Sequence, residues 1–198
     1  MAPMKRRILI IDGHPDSAAG RFVHALCRAY YDGARLAGHE LRSVIVSELQ
    51  FPLLRSNDEF RSQQIPSAIR ECQESLVWAD HIVLLYPLWL GDMPALLKGF
   101  LEQLLRPGFA FSEAPMSAAV RKPLAGKSAR IIVTMGMPAA VYRVYFGSHS
   151  LRALRRNVLY FCGIRPVRTS VIGSVESIGQ ARRGVWLARL QELGKRGV

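Results

Sequence analysis

The sequence predicts an α/β fold, with one parallel sheet covered by helices on both faces. Three observations carry that expectation. Short aliphatic runs without polar alternation recur along the chain, as strands buried on both faces require. Between them lie stretches with apolar residues at three- and four-residue steps, the pattern of helices with one buried face. The two patterns alternate from the beginning, which calls for crossover connections and therefore parallel strands. A chain of 198 residues is long enough for one substantial core and too short for two, so a single domain over 1–198 is expected.

Arg7 to Asp12 (RILIID) is the first aliphatic run. The turn-rich loop Gly13 to Gly20 follows, then a helical pattern from Arg21 to Ala37 with a stop signal at Gly38. Glu40 to Val46 reads as the second strand, Ser47 to Pro66 as irregular, and Ser67 to Trp78 as a helix. The third strand is His81 to Tyr86, and Pro87 to Met93 is a loop. Pro94 stands where a first helical residue is expected, and that helix runs to about Leu105. Arg106 to Lys127 reads as a long insertion, a length that usually signals function. Ala129 to Met135 is the fourth strand, Ser148 to Cys162 a helix, Arg165 to Ile172 the fifth strand and Gly179 to Lys195 the closing helix. Two strand orders fit, a 2-1-3-4-5 three-layer sandwich or a Rossmann half. In both, ligands bind beyond the carboxyl ends of the strands, so the loops after strands one, three and four are the expected site.

Composition narrows the function classes. Hydrophobic residues make up 49% and charged residues 21%, the balance of a folded protein rather than a disordered one. The longest apolar run, Ile82 to Leu90, is interrupted by Pro87 and is about half the ~20 residues a bilayer crossing needs. The apolar run after the basic segment Met1 to Arg7 stops at Asp12, too short for a secretion signal. A cytoplasmic protein without membrane insertion is expected. Cys27, Cys72 and Cys162 form no CxxC pair and no zinc set, so they read as reduced, buried thiols, and no metal site is expected. Lys and Arg number 27 against 15 Asp and Glu, a formal charge of +12, with much of the excess between Arg152 and Arg196. Such a balance favours anionic partners. The arginines lack aromatic interleaving or any nucleic-acid motif, so a solvated basic surface is expected and nucleic acid is not.

The three expected site loops carry the unusual residues. The first lacks GxGxxG but offers His14, Asp16, Ser17 and Gly20, followed by Arg21 and Phe22 at a helix start. Helix amides and His or Ser donors there suit a phosphate, while a plain Pro-Asp turn capping a helix fits equally well. In the second loop, Tyr86-Pro-Leu-Trp-Leu-Gly-Asp-Met-Pro94, a rigid proline and Trp89 follow a buried strand at once. A flat heterocycle is a natural partner for that backbone and that ring. The third, Thr134-Met-Gly-Met-Pro138, allows close approach at Gly136 and is followed by Tyr142, Tyr145 and His149. A Tyr and a His beside a hydride-accepting ring suit proton transfer or charge stabilisation; packing and surface roles fit the same residues.

The stretch YPLWLGDMPALLKGFLEQLLRPGFAF, Tyr86 to Phe111, resembles the NAD(P)H:quinone oxidoreductase family of flavodoxin-like proteins, which includes DT-diaphorase. GHPDSAAGRF, MGMPAAVY and FCGIRPV support that resemblance, which covers nearly the whole chain. It implies a flavodoxin-like fold of order 2-1-3-4-5 and a bound flavin, FAD in the first instance because of the insertion and the GFAF match, with FMN as the alternative. It implies that His14, Ser17, Arg21 and Phe22 surround the flavin phosphates. Pro87, Leu88, Trp89 and Leu90 would line the isoalloxazine, and Thr134, Met135, Gly136 and Met137 would close its other edge. Tyr142 and His149 would act as the catalytic pair. The implied reaction is hydride transfer from NAD(P)H through flavin to a quinone-type acceptor, in ping-pong order, in a homodimer. A regulatory flavin-binding subunit on a potassium-efflux system is the alternative. The chain departs from the family in having Met137 where a second glycine is common, and in a longer Tyr142–His149 spacing that sets Ser148 against His149 for one position.

Overall fold

The computed structural model describes residues 5–111 and 123–198. Five strands, β1 (Arg7–Asp12), β2 (Glu40–Ile45), β3 (His81–Pro87), β4 (Ser128–Thr134) and β5 (Val167–Ile172), form one parallel sheet. Their order is β2-β1-β3-β4-β5, the flavodoxin-like order expected above. The unbroken aliphatic runs have a direct cause. Leu9, Ile11, Leu84, Ile131 and Val133 point into one core layer, while Ile8, Ile10, Val83, Leu85 and Ile132 point into the other. With both faces covered, alternation with polar residues would place unpaired groups in a core, so the middle positions of the three inner strands, Ile8–Ile11, Ile82–Leu85 and Ile131–Val133, are apolar. Each fully buried Leu or Ile contributes roughly 1.5–3 kcal/mol of transfer free energy.

Helices α1 (Phe22–Leu36) and α7 (Gln180–Lys195) cover one face, contributing Val23, Leu26, Tyr30 and Leu190 to its core. They pack backbone to backbone. A Cβ on Gly33 would lie 2.0 Å from the Gln191 carbonyl oxygen, and one on Gly194 would lie 2.1 Å from that of Tyr30. Any side chain at either position forces the helices apart.

The other face is covered by α3 (Ser67–Trp78) and α4 (Ala95–Leu104), together with Leu151 and Leu154 further along the chain. The segment expected to be irregular, Ser47 to Pro66, contains a short helix instead, α2 (Asn57–Arg61), after a single 3-10 turn at Val46–Glu48. The Glu59 N–H donates to Ser56 Oγ at 3.1 Å, and the Arg55 N–H donates to the Glu59 carboxylate at 2.7 Å. The segment is fastened to α4: Gln103 Nε2 donates to the Pro52 carbonyl at 2.6 Å, and the buried Arg106 donates to the Ser62 and Gln64 carbonyls.

The region after β4 departs from expectation in two ways. A helix not foreseen, α5 (Ala139–Val144), occupies the loop. The single helix expected from Ser148 to Cys162 is a short α-helical turn, α6 (His149–Ala153), that widens into π geometry over Leu154–Leu159. The insertion Arg106 to Lys127 opens with a tight turn closed by the Gly108 N–H donating to the Phe111 carbonyl at 2.8 Å. Its residues 112–122 lie outside the described residues, as do residues 1–4 of the basic N-terminal segment.

Candidate functional site

Sheet register brings the three expected loops to one edge. Asp12 stands beside Leu85, and Pro87 beside Thr134, so the loops after β1, β3 and β4 leave the sheet at nearly the same level. Main-chain bonds extend the sheet past its last pairs. Gly13 N–H donates to the Leu85 carbonyl at 2.8 Å, and Leu88 N–H to the Thr134 carbonyl at 2.7 Å.

The first loop is fixed by side chains. Asp12, at the end of β1, is 5% exposed. One of its carboxylate oxygens accepts the His14 N–H at 3.1 Å, and the other lies 2.6 Å from His24 Nδ1. His24 Nε2 lies 2.9 Å from the Asp16 carbonyl oxygen, so both ring nitrogens face oxygen atoms of the first loop. His14 Nδ1 accepts the Asp16 N–H at 3.0 Å, which leaves Nε2 as the ring's donor toward solvent. Burial holds the His14 pKa below its ordinary value. Arg21 is held by the Asp16 carboxylate through Nε at 2.8 Å. Arg21 is also the residue preceding α1, and it gives that helix no side-chain cap. The first amides of α1, on Phe22 and Val23, are therefore free of side-chain partners and carry the positive end of the helix dipole. Phe22 itself turns inward against the α1–α7 core, with the Arg183 guanidinium 5.3 Å from its ring centre. Ser17 borders a groove of about 320 Å³ between α1 and β2, together with Asp12, His24, Arg28 and Tyr31.

The second loop forms a platform. Trp89 and Asp92 exchange main-chain hydrogen bonds at 2.8 and 2.9 Å around Leu90 and Gly91. Both central residues have positive φ, 46° for Leu90 and 81° for Gly91, the geometry of a type I′ turn. Glycine adopts it freely, whereas leucine there costs about 1–2 kcal/mol. Leu90 is fully exposed and Trp89 half exposed, its ring edge-on to His14 with 6.2 Å between centres. Pro87 is buried in the sheet and Leu88 is half-buried beside it. His14 and Trp89, from different loops, thus meet across one shelf.

The third loop closes the far side. Thr134 and Met135 are buried, and Met135 N–H donates to the Ile172 carbonyl at 2.9 Å. Met137 accepts the Ser174 N–H at 2.9 Å. Gly136 is exposed, and a Cβ on it would come within 3.2 Å of the Glu176 carboxylate. Tyr142 is turned inward: it is 2% exposed, its hydroxyl lies 2.9 Å from Ser150 Oγ and it accepts the Leu151 N–H at 3.3 Å. The Tyr142 geometry is that of a post holding the α5–α6 connection. His149 is exposed, and its ring folds back over Gly147, where an added Cβ would lie 2.8 Å from Nε2. No hydrogen bond joins Tyr142 and His149 side chains among the described residues.

Three residues escaped the sequence reading. Asp12 carried a legible signal, a carboxylate ending an aliphatic strand. His24 was hidden inside a helical pattern, and Glu176 arrives from the loop after β5, for which the sequence offers no local signal. Among the described residues no group of three His, Cys, Asp or Glu is placed to hold a metal, and no helix is long and apolar enough to cross a membrane.

Comparison with known proteins agrees with this architecture. The family model described as flavodoxin-like fold matches residues 6–193. An uncharacterized NAD(P)H oxidoreductase of Haemophilus influenzae is 29% identical over 180 residues, covering 88% of this chain and 87% of that protein. NAD(P)H dehydrogenase [quinone] 1 of Rattus norvegicus is 24% identical over 195 residues, 86% of this chain and 69% of the relative. Among solved structures, a putative quinone reductase from Klebsiella pneumoniae superposes with a TM-score of 0.83 at 20% identity, covering 96% of this chain and 83% of that one. An FMN-dependent NADH-azoreductase from Bacillus anthracis, in complex with FMN, superposes with a TM-score of 0.76 at 14% identity, over 98% and 99% of the chains.

Proposed function

The chain belongs to the flavodoxin-like fold family, and on that premise we propose that it is a cytoplasmic NAD(P)H:quinone oxidoreductase working through a bound flavin. The observation that carries this reading is the uncapped first turn of α1 beside His14, 6.2 Å from the half-exposed Trp89. A phosphate at one end of a ligand and a flat ring at the other fit that pair of features. Bound flavin supplies hydride acceptance from NAD(P)H and donation to a quinone.

The residues have separable tasks in this proposal. His14 Nε2, the Phe22 and Val23 amides and Arg21 bind the flavin phosphates, with Ser17 at the entrance. Pro87, Leu88, Trp89 and Leu90 support the ring, and Thr134, Met135, Gly136 and Met137 border its other edge. Tyr142 is a positioning residue for the third loop, and His149 is the exposed proton carrier. Donor and acceptor occupy the same open shelf in turn, which gives ping-pong order. The cofactor is FAD or FMN: the Phe109–Phe111 resemblance favours FAD, and FMN is the cofactor named for the Bacillus azoreductase. A homodimer is part of the reading, because Trp89, Leu90, Val144, Tyr145 and Phe146 expose apolar surface at the same end of the sheet. Three free, buried cysteines suit a reducing compartment.

The test is an absorbance spectrum of the protein supplied with FAD or FMN, followed by NADPH without oxygen and then benzoquinone. Bleaching of the flavin band and its return on quinone addition supports the enzyme. Tight flavin that NADPH leaves coloured points to a regulatory flavin-binding subunit, and absence of flavin binding removes both readings.

A further inference from the structure

The end of the sheet opposite the shelf holds a second concentration of polar groups. A cavity of about 100 Å³ opens there, lined by Arg6, His81, Ser128, Pro166, Arg168 and Val198. The volume is that of roughly three waters. Its residues stand where the strands begin: Arg6 just before β1, His81 and Ser128 at the first positions of β3 and β4, and Arg168 at the second of β5.

His81 is the least expected member. It is 2% exposed, and its Nδ1 lies 2.8 Å from Ser128 Oγ. Its Nε2 is buried and has no hydrogen-bond partner among the described residues. In the neutral tautomer that accepts the Ser128 hydroxyl at Nδ1, the ring carries its proton on Nε2 and is a donor without an acceptor. Leaving such a group unsatisfied costs about 1–3 kcal/mol. Burial, then Arg6, Arg130 and Arg168, push the His81 pKa down to about 3, so the ring holds no charge at neutral pH.

The surrounding charge has one sign. Arg130, 7% exposed, is bonded to the Val198 main-chain oxygen at 2.8 Å and to Ser170 Oγ at 3.1 Å. Arg6 donates to the Gly197 carbonyl at 3.1 Å. Arg168, Arg189 and Arg196 add to the field on Arg130. Among the described residues no Asp or Glu carboxylate lies within ion-pair distance of these five arginines. A buried imidazole nitrogen without a partner and guanidinium groups with no Asp or Glu carboxylate against them, around a small cavity, together define the complement of an anion.

We propose that this cavity is a binding site for a small inorganic oxyanion of the phosphate or sulfate class, held by His81 Nε2–H, Arg168 and Arg6. Bound there, the anion ties together the starts of β1, β3, β4 and β5 and neutralises part of the basic excess. The site is independent of the flavin reading, because it lies at the other end of the sheet.

Inorganic phosphate titrated into the full-length protein at constant ionic strength, with chloride as reference, tests this. Thermal midpoint and the imidazole nitrogen resonances of His81 are followed together. Phosphate is expected to raise the midpoint above the chloride control and to shift the Nε2 resonance. Arg168→Ala, an exposed position, is expected to weaken phosphate binding about tenfold, the size of one charge-assisted hydrogen bond. Arg152→Ala, remote from the cavity, is expected to leave it unchanged, and flavin binding is expected to be normal in both variants. Equal response to phosphate and chloride overturns the proposal. So does equal weakening by Arg168→Ala and Arg152→Ala, which is the behaviour of diffuse surface charge.

Discussion

Two histidines at opposite ends of one sheet live in opposite surroundings. His24, at the carboxyl end, has a carboxylate against Nδ1 and a carbonyl oxygen against Nε2. His81, at the amino end, has a serine hydroxyl on one side, arginines around it and nothing on Nε2 among the described residues. The first is a fully joined member of a scaffold that fixes a loop. The second has one ring nitrogen buried without a partner. Residue type alone distinguishes neither; the neighbours that strand ends bring in decide both.

The largest expected effect comes from cutting the joined histidine out of its network. Asp12→Ala removes the acceptor for both His24 Nδ1 and the His14 N–H. Stability in urea is expected to fall by about 2–3 kcal/mol, the range for buried donors left unsatisfied. Flavin affinity is expected to drop at least about tenfold, since His14 and the α1 amides lose their common anchor. A variant that keeps both unchanged shows that the network is incidental.

The unjoined histidine makes the next prediction, in pH. Its folded-state pKa lies below its ordinary value of 6.5, so the unfolded chain binds the proton more readily. The stability this contributes is complete above pH 6.5 and is lost as pH falls toward the folded value of about 3. His14, also held low by burial, acts in the same direction. Denaturant unfolding between about pH 6.5 and 4.5 is above the ordinary aspartate range, so the depressed carboxylates of Asp16 and Asp80 contribute little slope there. In that window His81→Gln is expected to flatten the fall without abolishing it. An unchanged slope means that His81 titrates freely and the amino-end cavity is open to water.

The smallest expected effect concerns the platform at the carboxyl end. Leu90→Gly removes a left-handed leucine that is fully exposed, and is expected to stabilise the monomeric fold by about 1 kcal/mol. The same change removes apolar surface, so subunit association by analytical ultracentrifugation is expected to weaken. Stabilisation with unchanged association places the dimer contact elsewhere.

Much of the fold was legible because burial on both sheet faces leaves an unmistakable sequence pattern. β1 and α3 have the bounds expected of them, and the remaining strands lie within two residues of expectation. The helix α2 was legible too, in the Ser56–Glu59 capping pair, but the surrounding prolines and polar residues masked it. The π widening over Leu154–Leu159 was not, because apolar spacing alone does not separate π from α geometry over so few residues.

The sequence by itself determined the alternation of strands and helices, the sheet that follows from it, and the three loops that leave the sheet at one edge. Those are local properties, set by periodicity and turn residues. Tertiary structure alone decided which side chains meet: Asp12 with His24, His14 with Trp89, Glu176 with Gly136, and His81 with arginines distant in sequence. It also turned Tyr142 inward to Ser150. The physical reason is that a hydrogen bond or a charge contact depends on ångström-scale distances between chain segments, and hydrophobic spacing specifies which face is buried without specifying what it will touch.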